Sequence, residues 1–234
     1  MRRLVVAELV GTAFLVMAVI GSGIMAARLS PGDRGLQLLE NSIATGAALV
    51  ALILALQPVS AAFNPVVTLV EVALHRLDAA TAAWLVVAQV CGGILGAVVA
   101  NLMFGLDPVT FADHARSTGG LWLGEVVATL GLVLVIFGSL RSGRVDSIAF
   151  SVAGYIAAAY WFTSSTSFAN PAVTVARMFS DTFAGIAPDS VPMFVLMQLV
   201  GAALALGLVR LLYPGVLDAA PDPDQRTVTG AAHE

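Results

Sequence analysis

Two copies of one short motif constrain this chain more than anything else in it. They are Asn64-Pro65-Val66-Val67-Thr68 and Asn170-Pro171-Ala172-Val173-Thr174, one in each half and both in strongly apolar surroundings. Asn is a preferred N-cap and Pro a preferred first helical residue, so each motif reads as a helix start. The apolar segments that follow, 64–74 and 170–179, are short. At about 1.5 Å per residue, some ten residues cross only half of a hydrocarbon core of about 30 Å. Backbone that breaks and restarts at membrane depth is tolerated only where it is buried in protein or lines a water-filled cavity. Two such half-helices in corresponding positions point to a solute pathway.

Six further runs, at 4–27, 39–56, 82–104, 121–140, 148–162 and 191–212, approach the span length of about 20 residues. The fifth is the weakest, because Tyr155, Tyr160 and Trp161 give it an interfacial character. The first is too long for the cleaved apolar stretch of about 7–15 residues in a signal peptide and is read as a span. Composition agrees. The chain is 59% hydrophobic and 11% charged, where a soluble domain is about half apolar and a quarter charged. The fold expected is an all-α membrane protein of six transmembrane helices and two re-entrant half-helices.

The chain repeats itself. Glu8-x-x-x-Thr12 matches Glu125-x-x-x-Thr129, Asn64 matches Asn170, and Gln89-x-x-Gly92 matches Gln198-x-x-Gly201, in the same order. Three spans per half is an odd number, so the second copy enters from the opposite face and forms an inverted repeat. A single domain over 1–214 is expected, with repeats at about 1–105 and 120–214. The segment 215–234 is Pro- and Asp-bearing and is expected to be a disordered cytoplasmic tail. Arg2, Arg3, Arg76, Arg141, Arg144 and Arg210 flank one side; Arg28, Arg34, Arg116 and Arg177 fall on the other. The positive-inside rule then places both termini in the cytoplasm, in a multi-pass protein of the inner membrane.

Other chemistry is sparse. The net charge of −4 gives no reason to expect nucleic acid. Cys91 is single, cannot form an internal disulfide, and is expected to be a small buried residue. No spacing suggests a metal ligand set, no Gly-rich loop suggests a nucleotide, and no nucleophile–base pair suggests an enzyme; no cofactor is expected. His75, His114 and His233 fall in loops or the tail.

The paired motifs carry a mechanism. Each half-helix N-terminus holds about half a positive charge, and two meeting at the midplane form a barrier to cations but not to neutral solutes. As N-caps, Asn64 and Asn170 use their amide oxygens on their own helices, leaving the NH2 groups to donate into the lumen. Residues 60–63 and 165–169 would present carbonyls. Glu8 and Glu125 are carboxylates in spans, costly there and functional by default. They are expected to brace the irregular loops; the competing reading is a proton relay in a coupled transporter.

These residues resemble the aquaporin and aquaglyceroporin family of channels over essentially the whole span of 1–213. The resemblance implies one pore per monomer, a homotetramer in the lipid bilayer, and small uncharged solutes. Three departures stand out. The first motif has Val66 where the family has Ala. The preceding stretch Ser60-Ala61-Ala62-Phe63 is one residue shorter than the family's and lacks its His. The Arg that usually follows the second motif is replaced by Val173. Alignment with the family places the remaining selectivity-filter positions at Thr45, Ala158 and Ser167, a filter wide, uncharged and mildly polar. Arg177, one helical turn beyond Val173, is either a displaced filter Arg guarding the outer vestibule or an anchor for the end of the half-helix, and the anchor is favoured. Val173 and its neighbours resemble the bacterial aquaglyceroporins found with arsenic-resistance genes, which implies polyols and neutral or methylated arsenicals as solutes. The alternatives are a coupled transporter using Glu8 and Glu125, a water-selective channel, and a closed structural protein of the same fold.

Overall fold

The computed structural model describes residues 1–141, 143 and 145–214; the expected tail and Arg144 lie outside the described residues. The chain forms α1 (Arg2–Leu29), α2 (Arg34–Leu56), α3 (Pro65–Ala73), α4 (Ala79–Met103), α5 (Gly119–Arg141), α6 (Ile148–Phe162), α7 (Pro171–Arg177) and α8 (Val191–Leu212). Among the described residues six helices are long and apolar enough to cross a membrane; α3 and α7, of 9 and 7 residues, are the half-helices. The weak fifth span reaches 18 residues by adding the 3-10 turn Val145–Ser147 to α6. α2 starts earlier than its apolar run because Asp33 caps it, accepting from the Leu36 N–H at 2.9 Å.

The packing has the pairing of an inverted repeat. α1 lies against α4 and α5 against α8, the two most intimate pairs, while α2 meets α6 and α3 meets α7 across the pseudo-two-fold. The close crossings depend on glycine. A Cβ on Gly92 or Gly96 would overlap the carbonyl oxygens of Leu9 and Ala13 on α1. One on Gly201 would lie 2.5 Å from the Val126 oxygen of α5. Small residues at such crossings let helix backbones touch, which replaces hydrophobic driving force inside lipid. A Gly96→Leu variant is therefore expected to separate α1 from α4 and to lose the monodisperse peak in detergent size-exclusion chromatography. Overpacking of this kind costs about 1–3 kcal/mol or more.

Large apolar side chains such as Phe14, Ile43, Trp84 and Leu123 point outward, as lipid-facing positions should. Cys91 is also exposed, against expectation. The inner face of α4 is taken by Gln89, Gly92, Gly93 and Gly96, and Cys91 lies off that face.

Candidate functional site

Both half-helices begin as their capping residues dictate. The Asn64 amide oxygen accepts from the Val66 N–H at 3.0 Å; that of Asn170 accepts from Ala172 at 3.0 Å and Val173 at 3.3 Å. Pro65 and Pro171 occupy the first helical turn. The NH2 groups are not wholly free, as a lumen-facing pair would be. Asn64 Nδ2 donates to the Ala169 carbonyl at 2.8 Å, and Asn170 Nδ2 donates to the Phe63 carbonyl at 2.7 Å. Each amide carries two N–H donors, so one per Asn is committed to the opposite loop and one remains for a solute.

The residue before each Asn is thereby held at both ends. Phe63 and Ala169 adopt left-handed backbone, with φ of 49° and 48°, a conformation that costs a non-glycine residue and persists only when its surroundings fix it. Their carbonyls meet the opposite Asn, as above. Their N–H groups are held by glutamates: Phe63 N donates to Glu8 Oε2 at 2.7 Å, and Ala169 N donates to Glu125 Oε2 at 2.9 Å. Glu8 also accepts from Ser60 Oγ and from Ala62 N, and Glu125 from Phe168 N. Gln89 Nε2 links Glu8 at 2.7 Å to Thr68 Oγ1 at 2.9 Å; Gln198 Nε2 links Glu125 at 2.6 Å to Thr174 Oγ1 at 2.8 Å. Both carboxylates are fully buried, and neither lies on the cavity wall.

Val66 is fully buried with Val133 of α5 and Ala202 and Ala205 of α8. The two methyls it adds over Ala thus sit in an apolar cluster that also holds Val70, Leu74, Phe137 and Val209.

A cavity of about 400 Å³ passes both Asn residues. One side is apolar, with Leu49, Ile53, Leu132 and Ile156 among its residues, and the other carries the loop Ser60–Asn64. Thr45, Ser167 and Val173 are on its wall. Ser167 Oγ is buried with no partner, so it has hydrogen-bonding capacity to offer a solute. Ala158 is not on the wall; it is exposed on the outer side of α6. Tyr160 takes that place, lining the cavity with its hydroxyl 3.3 Å from Thr45 Oγ1. The reason is helical phase. Ile156 and Tyr160 are four residues apart on one face, whereas Ala158 is two residues from each and points away.

Arg177 touches both the loop after α7 and the cavity wall. It anchors, donating through Nε to the Ala184 carbonyl and stacking with its Cζ 3.4 Å from the Phe168 ring centroid. It also lines the 400 Å³ cavity and a second cavity beside the α1–α2 and α4–α5 connections. That second cavity includes Arg34, His114 and Arg116, residues that the sequence places only in connecting segments. Arg116 is buried although it belongs to the α4–α5 loop. Its Nε donates to the Gly185 carbonyl at 3.1 Å, its backbone N–H to Ser190 Oγ at 2.9 Å, and burial pulls its guanidinium down to about 10.

Known proteins share this arrangement. The family model described as "Major intrinsic protein" matches residues 1–149 and 140–233. The chain is 49% identical over 211 residues to "Aquaglyceroporin AqpS" of Rhizobium meliloti, covering 90% of each chain. It is 30% identical to "Aquaporin Z" of Photorhabdus laumondii, over 91% of this chain and 98% of that one. Among solved structures, the aquaglyceroporin from Plasmodium falciparum superposes with a TM-score of 0.68 at 16% identity, over 93% of this chain and 99% of that one. With its paired Asn-Pro half-helices, six spans and matching family model, this chain belongs to the major intrinsic protein family.

Proposed function

We propose that the protein is a passive transmembrane channel for small uncharged solutes: water, glycerol-like polyols, and neutral or methylated arsenicals. The observation that carries this reading is the cavity running past Asn64 and Asn170, with the uncharged Thr45, Tyr160, Ser167 and Val173 together on its wall. The two remaining amide donors, the Ser167 hydroxyl and the positive ends of α3 and α7 suit a neutral solute that accepts hydrogen bonds, and repel cations. The usual filter Arg is replaced by Val173, so size is set by Tyr160 and Val173. The similarity to an aquaglyceroporin supports polyols; arsenicals rest on the resemblance around Val173. In this reading the protein is a homotetramer of one-domain subunits with a pore each. Both termini face the cytoplasm, and the Arg177 end of the pore faces outward.

The glutamates favour the channel over a coupled transporter, since their oxygens are occupied by backbone and Gln donors away from the cavity. Light scattering of proteoliposomes after an osmotic step with glycerol tests the proposal. Rapid shrinkage followed by fast re-swelling is expected. Shrinkage without re-swelling identifies a water-selective channel, and no accelerated response identifies a closed protein. A Tyr160→Ala variant is expected to raise re-swelling with polyols larger than glycerol severalfold while changing water flux little. An unchanged polyol rate removes Tyr160 from the filter.

A further inference from the structure

Next to the pore cavity a second cavity collects positive charge on its wall. The cavity beside the α1–α2 and α4–α5 connections has a volume of about 440 Å³ and is lined in part by Arg34, Gln37, Asn41, His114, Arg116 and Arg177, with no carboxylate among the described residues of its wall. Two of these cations are out of solvent: Arg116 is 7% exposed and Arg177 3%. Buried charges are ordinarily paired, because desolvation is expensive. Here the hydrogen-bond partners of both guanidinium groups are main-chain carbonyls: Gly185 and Ser165 for Arg116, Ala184 for Arg177. Both stack on one ring, with Cζ atoms 5.0 and 3.4 Å from the centroid of Phe168. Two like charges are thus held together by one aromatic face. The buried carboxylate of Glu125 already accepts from Phe168 N, Ala169 N and Gln198 Nε2.

The donors are not exhausted. A guanidinium has five N–H groups. Arg116 spends two and Arg177 one on those carbonyls, and none of their nitrogens is both buried and unpartnered. The remaining N–H groups are thus not sealed off, and both residues line the cavity. His114 is held below its ordinary pKa by burial and then by Arg116, Arg177 and Arg34, with Asp113 opposing. The acidic residues of the neighbouring loops, Asp33, Asp107, Asp113, Asp181 and Asp189, are exposed.

We propose that this cavity binds a small oxyacid monoanion, of the carboxylate or phosphonate class, held by Arg116 and Arg177 with Arg34 at the rim. Planar forked donors beside a cavity whose described wall residues include no carboxylate fit such oxygens; Glu125, the charge that both arginines feel, is committed to the loop before α7 and to Gln198. Arg177 also lines the pore cavity, so the bound anion sits at the pore mouth and local concentration of oxyacids there is raised. That last consequence rests on the channel reading; binding does not.

The test is thermal unfolding of the purified full-length protein in detergent, titrated with sodium methylphosphonate and, separately, sodium acetate, against sodium chloride at matched ionic strength. Ligands that bind only the folded state raise the midpoint saturably. A saturable rise with either oxyacid and none with chloride is expected. Arg34→Gln and Arg116→Lys are each expected to weaken the apparent affinity by about tenfold, the loss of one charge-assisted bond. Arg34 is exposed, so its variant keeps the test valid if Arg116→Lys fails to fold. No saturable rise in the unmodified protein overturns the proposal, as does equal affinity in the unmodified protein and both variants. Glycerol re-swelling of the same preparations separates the two readings: re-swelling without oxyacid binding removes only the vestibule site, and binding without re-swelling removes only the channel.

Discussion

In a Val173→Arg variant, glycerol re-swelling is expected to fall by tenfold or more while osmotic water flux falls far less. Tenfold requires an added barrier of only ~1.4 kcal/mol. Val173 follows the Asn170 cap and lies on the cavity wall. Across the opening Tyr160 and Thr45 already hold their hydroxyls 3.3 Å apart. A guanidinium at this height narrows the passage from a third side. It also adds a cation near the Arg177 and Arg116 pair, which opposes entry of any cation still further. Water, with the smallest cross-section, is least affected. Paired stopped-flow traces for water shrinkage and glycerol re-swelling check this, after size-exclusion chromatography confirms the fold. Equal loss of both fluxes, or no change in either, removes Val173 from the filter.

The second large effect is expected on stability. Glu8→Ala removes the acceptor for Ser60 Oγ, Ala62 N, Phe63 N and Gln89 Nε2 at once. Hydrogen bonds to a charged group are worth about 1.5–3 kcal/mol each, and donors left buried and unpaired add a penalty. The left-handed Phe63 then loses one of its two restraints. The variant is expected to unfold at a clearly lower temperature and to lose water and glycerol flux together. Glu125 accepts from three donors, Phe168 N, Ala169 N and Gln198 Nε2, so Glu125→Ala is expected to lose less. Glu8→Gln retains one acceptor oxygen but turns an NH2 toward donors, and an intermediate loss is expected. A proton relay predicts the reverse pattern: folded, thermally normal variants that no longer transport. A Glu8→Ala protein with an unchanged unfolding midpoint contradicts the bracing role.

Features with local causes are legible in the residues alone. Asn followed by Pro specifies a helix start whatever surrounds it, and both half-helices begin where the motif puts them. The twofold recurrence of Glu, Asn and Gln landmarks carries the inverted repeat, because polar residues are costly in apolar spans and rarely match in order by chance. Features set by tertiary phase are not legible. Alignment with the family reaches Ala158, but the loop before Asn170 includes left-handed Thr166, Ser167 and Ala169, and the helix instead presents Tyr160 to the cavity. The amide hydrogens of Asn64 and Asn170 read as free in the sequence because their acceptors, Ala169 and Phe63, lie more than a hundred residues away in the chain. Arg116 and His114 read as ordinary loop residues. Only the folding of the α4–α5 loop onto the segment after α7, through pairs such as Ala112 N to the Met178 carbonyl at 3.0 Å, brings them beside Arg177. An Arg in a membrane protein's loop is the commonest of features, and its burial has no signature in one sequence.

Passive conduction means that solute moves down its own gradient through an open path. Uptake of radiolabelled glycerol into proteoliposomes over a wide concentration range, with and without an imposed proton gradient, measures this most directly. Initial rates are expected to rise in proportion to concentration and to be indifferent to the gradient. A rate that saturates and responds to the proton gradient contradicts passive conduction, and would return Glu8 and Glu125 to the transport step.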